Sequence, residues 1–433
     1  VECNDPTGFA LDEYQKQAVE LCCTFDHYHR IIAVSGRAGT GKTSIMRLVY
    51  EAAKSAGHNP VLCAPTGKAA RRISEATGIP ALTVHKLLEF PRPGEIDERT
   101  GKPLVVGAPK RNQDRPLSYN IVLVDEAAML SASLYTQLIF AIPKGGYLRM
   151  FGDQHQLPPI EVSPALVNQP SKFVHWVNRE VQGVKSGIEL QIIHRQGEGS
   201  GIVENGSLIL QGRMPRHLPD FSMRATGTQL SVLCDIVKED LNEFDALSNQ
   251  IIIPGNRGPL GVFAVNTVLQ RLIRPEGERH PLPRYPYDKH AVALQVDDKV
   301  IMTKNNYEIG QEGIMNGEVG RVVEFDEKDK SIIIKFGDEY VYVPPVIHTR
   351  YKRSPDYPLC DVALAYALTT HKTQGSEYDR VIFVMDNAHR FILYRNNFYT
   401  GVTRAKKKAD VIYAPSVMSR ALCAVPMIAG KKV

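Results

Sequence analysis

The chain has 433 residues, 43% hydrophobic and 23% charged, too long for one compact core and too apolar for large-scale disorder, so about two to four domains are expected. Lysine and arginine number 52 against 47 aspartates and glutamates, a net charge of +5, which permits a polyanionic partner without demanding one. No apolar run is long enough for a membrane span, the N-terminus lacks signal-peptide order, and the seven cysteines form no Cys-x-x-Cys pair; a cytosolic (cytoplasmic) or nuclear protein with reduced, mostly structural cysteines is expected rather than a membrane protein, a secreted one or a zinc ribbon. The first residue is Val1 rather than Met, which points to residues upstream of it.

From Arg30 to Asp153, β-rich runs alternate with helical ones: strand 31–35, helix 42–56, strand 60–64, helix 67–76, strand 120–124, helix 131–141 and strand 147–151. This alternation predicts a parallel sheet covered by helices. Between the first strand and helix, Gly36-Arg37-Ala38-Gly39-Thr40-Gly41-Lys42-Thr43 forms a complete G-x-x-x-x-G-K-[ST] loop. Glycines let backbone N–H groups turn inward on phosphate oxygens, the lysine reaches the β and γ phosphates, the threonine hydroxyl ligates Mg²⁺, and the helix dipole favours the anion. Gly36, Ala38, Gly39, Thr40, Gly41, Lys42, Thr43 and Ser44 are therefore the candidate contacts for a nucleoside triphosphate.

Residues 91–118 differ in texture, rich in proline, glycine and basic residues, with Thr100-Gly101 between Glu95-Ile96-Asp97 and Leu104-Val105-Val106. They read either as a small β-hairpin or as a solvated surface loop. Val122-Leu123-Val124-Asp125-Glu126 is an apolar strand ending in two carboxylates. Behind a phosphate-binding loop, Asp125 would hold Mg²⁺ indirectly through water and Glu126 would orient and deprotonate the attacking water; the bland reading is a pair of solubilising strand-end acids. Gln156, after the strand ending at Phe151, carries an amide able to donate to a γ-phosphate and accept from water.

A second α/β unit is expected from the strand at Ile188–Ile193, followed by a helix at 200–211 and a strand at 250–253. Residues 275–350 change to prolines followed by short alternating strands such as 319–325 and 331–336, the pattern of a small inserted β-barrel. The unit closes with strands at 361–368 and 380–385 and a helix from Asn396 into Thr403.

Taken in order, these segments resemble the superfamily 1B DNA helicases of the RecD and Dda type. Leu11-Asp12-Glu13-Tyr14-Gln15 is similar to the adenine-reading Q motif, Ala64 to Ala70 and Thr83-Val84-His85 to motifs that hold single-stranded DNA, and Val124 to Met129 and Gly152 to Pro159 to motifs coupling hydrolysis to movement. Leu190 to Arg195, Ile253 to Asn266, Asn305-Asn306-Tyr307 with Asn316-Gly317-Glu318, Thr370 to Glu377 and Tyr399 to Lys407 follow the later signatures. Arg37 and Ala128 depart from residues common in relatives, and the chain resembles the compact, phage-like members, so a host cytoplasm is expected if it is phage-encoded.

The resemblance implies an α/β fold of two RecA-like P-loop NTPase lobes. The first lobe spans 1–90 and 119–183 with a wedge hairpin at 91–118; the second spans 184–276 and 353–433 with an SH3-like barrel at 277–352. It further implies that Gln15 reads adenine, Arg195 contacts the γ-phosphate, Glu377 lies at the nucleotide, and Arg404 is an arginine finger. Fingers of this kind stabilise charge that develops in the transition state. Pro65, Thr66, Lys68, His85, Lys86, Asn256, Thr370, His371, Lys372 and Gln374 become the expected DNA contacts, several with hydroxyls or cations suited to phosphates and blind to base identity. The implied function is ATP- and Mg²⁺-dependent 5′ to 3′ translocation on single-stranded DNA and opening of forks by a monomer, in replication, repair or recombination. A single-strand-binding protein or a replisome component is an expected partner. An RNA helicase, or a nucleic-acid-dependent ATPase or translocase that does not unwind, is the alternative.

Overall fold

The computed structural model describes residues 10–91, 107–159, 171–181, 183–194, 200–281, 293–311, 313–347 and 357–423. Two compact units divide the chain, Val1–Glu198 and Gly199–Val433.

The first unit contains helix α1 (Glu13–Cys22), strand β1 (Ile31–Gly36), α2 (Lys42–Ser55), β2 (Pro60–Ala64), α3 (Gly67–Thr77), β3 (Ala81–Thr83), α4 (Val84–Leu87), β4 (Ile121–Val124), α5 (Ala132–Ala141), β5 (Tyr147–Gly152) and α6 (Lys172–Val177). A two-stranded ribbon, β6 (Glu180–Val181) and β7 (Val184–Lys185), precedes β8 (Gly187–Leu190). The main sheet runs β3-β2-β4-β5-β1-β8, every pair parallel. Strands β2 and β4 are apolar throughout because both faces are covered. In β1, Ile32 and Val34 join the core made with α1, α2 and α3, while Ala33 joins the core on the opposite face, with α4, α5 and α6.

Arg149 on β5 is 0% exposed. Its guanidinium donates to the carbonyls of Cys22 (2.7 Å), Thr24 (2.9 Å) and His29 (2.9 Å), holding the segment that leads from α1 into β1.

The second unit contains α7 (Gly201–Leu210), β9 (Phe221–Ala225), α8 (Gln229–Glu239), α9 (Leu241–Asp245), β10 (Asn249–Ile253) and α10 (Val262–Ile273). There follow a small ribbon, β11 (His280–Pro281) with β12 (Ala293–Leu294), and then β13 (Lys299–Met302), β14 (Val319–Asp326), β15 (Ser331–Phe336), β16 (Glu339–Val343) and β17 (Val362–Leu364). The unit ends with β18 (Ala367–Thr369), β19 (Tyr378–Met385), α11 (Arg395–Val402), β20 (Ala405–Tyr413) and α12 (Met418–Ala421). Its parallel sheet runs β18-β10-β19-β20-β9, and a separate antiparallel sheet runs β16-β15-β14-β13-β17.

Two expectations need correction. The strand expected to open the second unit completes the first: β8 pairs in parallel with β1, from Ala33↔Gly187 to Gly36↔Leu190, so residues 184–190 belong to the first sheet. The single strand expected over 361–368 is two, because β17 pairs antiparallel with β13 while β18, two residues later, pairs parallel with β10; the antiparallel insertion therefore takes a strand from beyond its expected limit of residue 352. Most of the expected hairpin, 92–106, lies outside the described residues. The returning strand of chain is fastened beside α4, where Glu89 accepts from Arg111 Nη2 (2.6 Å) and Nε (2.8 Å) and pairs with Arg115 (3.3 Å).

Candidate active site

In open parallel sheets ligands bind outside the carboxyl ends of the strands. The phosphate-binding loop leaves β1 at that edge. Gly39 and Gly41 take left-handed φ values of 83° and 81°, which an L side chain adopts only under strain. Lys42 Nζ bonds the carbonyls of Gly36 (2.7 Å) and Arg37 (2.9 Å), and Thr40 Oγ1 donates to Arg37 O (2.9 Å). Lys42, Thr43 and Ser44 open α2, whose N-cap is Gly41, so the loop amides and the helix dipole converge on one place.

The outer side of the loop is held by a ring of contacts. Asp12 caps α1 by accepting from Gln15 N (2.9 Å), and Gln15 Oε1 accepts from Asp12 N (3.1 Å). Gln15 Nε2 donates to Thr40 O (3.2 Å), while His194 N donates to Gly39 O (2.8 Å) and His194 Nε2 meets Asp12 Oδ2 at 2.6 Å. Gln15 is 6% exposed and both ends of its amide are engaged; in this geometry it positions the loop, and a second amide hydrogen and a second oxygen lone pair remain for a base. Asp12 and His194 were not legible as functional residues, because nothing in their 182-residue separation signals contact.

Asp125 and Glu126 follow β4 at the same edge. Asp125 N donates to Cys63 O (2.9 Å), and Glu126 N donates to Asp125 Oδ1 (2.8 Å). Burial and the neighbouring Glu126 charge push the Asp125 carboxyl from 3.8 up to about 6, against the opposing pull of Lys42. A carboxylate so placed is short of positive charge, which is what a divalent cation beside Thr43 would supply; the donor set fits Mg²⁺. Glu126 adopts a left-handed φ of 50°, a conformation costing about 1–3 kcal/mol that clusters at functional sites.

After β5, Gln154 N donates to Ser35 Oγ (3.3 Å) and His155 Nε2 meets Glu189 Oε1 (3.2 Å). That hydrogen bond holds the Glu189 carboxyl below its usual range. The segment carrying the buried Gln156 is thus tied to β1 and β8. Arg195 lies outside the described residues.

Among the expected DNA contacts of the first unit, Thr66 is a helix N-cap, accepting from Ala69 N (3.2 Å), and the cap of the helix carrying His85 and Lys86 is Thr83, accepting from Lys86 N (3.0 Å). Pro65 and Lys68 are half-buried, and Lys86 is exposed. The His85 ring lies 4.8 Å from that of Phe90, and desolvation lowers its pKa. All of these residues follow β2 and β3 at the carboxyl edge.

In the second unit the expected residues divide between opposite edges of the sheet. Asn256 is exposed after β10, and His371 and Lys372 are half-buried after β18, their pKa values lowered by desolvation. Thr370 does not fit a phosphate contact: its side chain is 0% exposed and donates to Asn397 Oδ1 (3.0 Å), fixing α11. Gln374 is likewise buried. Glu377 and Arg404 precede β19 and β20 at the other edge, where Tyr378 pairs with Ala405. Arg404 is 3% exposed, its guanidinium bonded to the carbonyls of Thr400 (3.2 Å) and Ser376 (3.3 Å).

Among the described residues no helix is long and apolar enough to cross a membrane, and no cluster of His, Cys, Asp and Glu forms a metal site.

A family model described as an AAA domain matches residues 10–219, and one described as a UvrD-like helicase C-terminal domain matches residues 364–412. The chain is 29% identical over 392 residues to the ATP-dependent RecD2 DNA helicase of Deinococcus radiodurans, covering 88% of this chain and 46% of that protein. It is 27% identical over 437 residues to the RecD subunit of the RecBCD enzyme of Mycolicibacterium smegmatis, covering 90% of this chain and 70% of that one. The chain thus spans about half the length of the Deinococcus relative (46%). In fold it is similar to the Pif1 helicase from Bacteroides solved with ADP-AlF3 and single-stranded DNA, with a TM-score of 0.57, 19% identity and 95% and 94% of the two chains covered. With these matches the chain is similar in sequence to RecD-type DNA helicases and in fold to a Pif1 helicase.

Proposed function

We propose that this chain is an ATP-dependent DNA helicase that advances 5′ to 3′ on single-stranded DNA and separates duplex strands. The observation that carries this reading is the convergence of the phosphate-binding loop, Asp125, Glu126 and Gln156 on the carboxyl edge of one parallel sheet, in a chain that carries a second parallel sheet with Arg404. The loop amides and Lys42 hold the β and γ phosphates, and Thr43 and Asp125 hold Mg²⁺. Bound there, Mg²⁺ would neutralise phosphate charge as the terminal phosphoryl group transfers. Glu126 orients the attacking water and takes its proton; Gln156 senses the γ-phosphate; Arg195 and Arg404 stabilise charge that builds only in the transition state.

Lys68, His85, Lys86, Asn256, His371 and Lys372 grip the DNA backbone in this reading. Residues 91–118 form the wedge, and the antiparallel sheet corresponds to the SH3-like domain. Forks, a single-strand-binding protein or a replisome component are the proposed partners, with the chain acting as a monomer in the cytoplasm. ATP hydrolysis with and without matched DNA and RNA oligonucleotides tests the reading, with Lys42→Ala as the control. Stimulation by DNA that vanishes in the variant supports it. Stimulation by RNA in preference to DNA, or turnover retained in Lys42→Ala, contradicts it.

A further inference from the structure

The eight residues after β19 are rigidly built, yet they leave an aromatic ring in water. Asp386 caps a 3₁₀ turn at Asn387–His389, accepting from Ala388 N (2.9 Å) while its own N–H donates to His389 Nδ1 (3.2 Å). Ile392 N and Leu393 N both donate to His389 O (3.0 and 2.9 Å), and His389 and Leu393 are buried. Ser416 Oγ bonds Asn387 Oδ1 (2.9 Å) from the other side. On this fixed backbone Phe391 is 64% exposed. Arg390 places its guanidinium carbon 4.7 Å from the ring centroid.

The loop after β10 interlocks with this turn. A Cβ added at Gly255 would meet Ile392 Cδ1 at 3.0 Å and His389 Cδ2 at 3.4 Å, and one at Gly258 would meet Ala388 Cβ at 3.7 Å. The exposed Asn256 and Arg257 lie between these two glycines, on the loop that packs against the turn carrying the exposed Arg390 and Phe391. Arg257 makes no ion pair among the described residues. One open ring with an arginine against it, and a second arginine and an amide on the adjoining loop, at the carboxyl edge of the sheet, matches a nucleobase with its neighbouring phosphates: rings and guanidinium groups stack on bases of any identity, and cations take the backbone. A protein partner would favour a broader apolar patch without the flanking charge.

We propose that Phe391 is a stacking platform for one base of the bound single strand, with Arg390 and Arg257 on the adjoining phosphates. The inference rests on the proposed DNA-binding function and adds a contact that none of the motif residues supplies. It is tested with Phe391→Trp, Phe391→Ala, Phe391→Tyr and Phe391→Leu, using a labelled oligothymidylate for affinity and tryptophan fluorescence as the local readout. The native chain has one tryptophan, Trp176 in the first unit, so the signal gained in Phe391→Trp reports on this position.

Because the ring is exposed, all four variants should keep the wild-type melting temperature. Oligothymidylate should quench the new tryptophan, Phe391→Ala should weaken binding about 5- to 150-fold, and Phe391→Tyr should bind within about 2-fold of wild type. Unchanged affinity in Phe391→Ala, saturable binding without quenching in Phe391→Trp, or full rescue by Phe391→Leu overturns the platform while leaving the helicase reading in place. Absence of binding by the wild-type chain overturns both, and the same titration shows which has failed.

Discussion

Replacing Asp125 with asparagine should make the protein more stable while removing its ATPase activity. In the folded chain, burial and the Glu126 charge raise this carboxyl from 3.8 to about 6. A folded-state value above the unfolded one means that any stability linked to the group is present at low pH and lost as pH rises through the folded value. The penalty therefore grows between about pH 4 and pH 6 and stays constant above it, reaching about 3 kcal/mol at 1.36 kcal/mol per pH unit.

Asparagine removes the charge, and its Oδ1 still accepts the Glu126 N–H that Asp125 accepts now at 2.8 Å. For a unit of this size, Val1–Glu198, 1 kcal/mol corresponds to roughly 2–4 °C, so a gain of about 3–10 °C at pH 8 is expected after allowing for relaxation around the site. The assay is thermal unfolding of both proteins without nucleotide and with EDTA, from pH 4.5 to pH 8. The difference should shrink steadily below about pH 6. A melting temperature for Asp125→Asn at or below wild type at pH 8, or a difference independent of pH, would refute the electrostatic argument.

Asp12→Ala and His194→Ala should each weaken binding of a fluorescent ADP analogue about 5- to 10-fold, with the double variant little worse than either, because both break one ring around Gly39 and Thr40; additive losses in that cycle would show the contacts to be independent. Arg404→Ala should retain nucleotide binding and lose about 10³-fold or more in kcat, and single-turnover hydrolysis at the wild-type rate would remove Arg404 from the chemistry. Arg149→Met should destabilise the first unit by about 3–5 kcal/mol, since it leaves the buried carbonyls of Cys22, Thr24 and His29 without donors; a neutral effect in denaturant unfolding would mean that the segment finds other donors.

Local chemistry was the legible part of this fold. The glycines, Lys42 and Thr43 of the loop, and the apolar run ending in Asp125 and Glu126, are contiguous in sequence, and each needs only its own strand and helix to be placed. Long-range pairing was not. β8 is short and half-buried, and nothing in its residues tells whether it opens a sheet or closes the edge of the preceding one. The stretch 361–368 reads as one strand because β17 and β18 are both hydrophobic, although the chain passes from one sheet to another between them. Thr370 shows the same limit at a single side chain: a hydroxyl in a motif suits a phosphate or a buried amide equally well, and only packing against Asn397 decides. The ring around the loop escaped notice because it joins α1, the loop and the segment after β8 through carbonyls and one carboxylate–imidazole contact, which leave no periodicity or spacing to read.

The central claim is tested most directly by ATP-driven unwinding of one DNA duplex carrying a single-stranded tail on either the 5′ or the 3′ side, with Lys42→Ala beside the wild type. The account predicts strand separation on the 5′-tailed substrate, little on the 3′-tailed one, and none in the variant. Preference for the 3′ tail, or ATP hydrolysis without unwinding of either substrate, would contradict it.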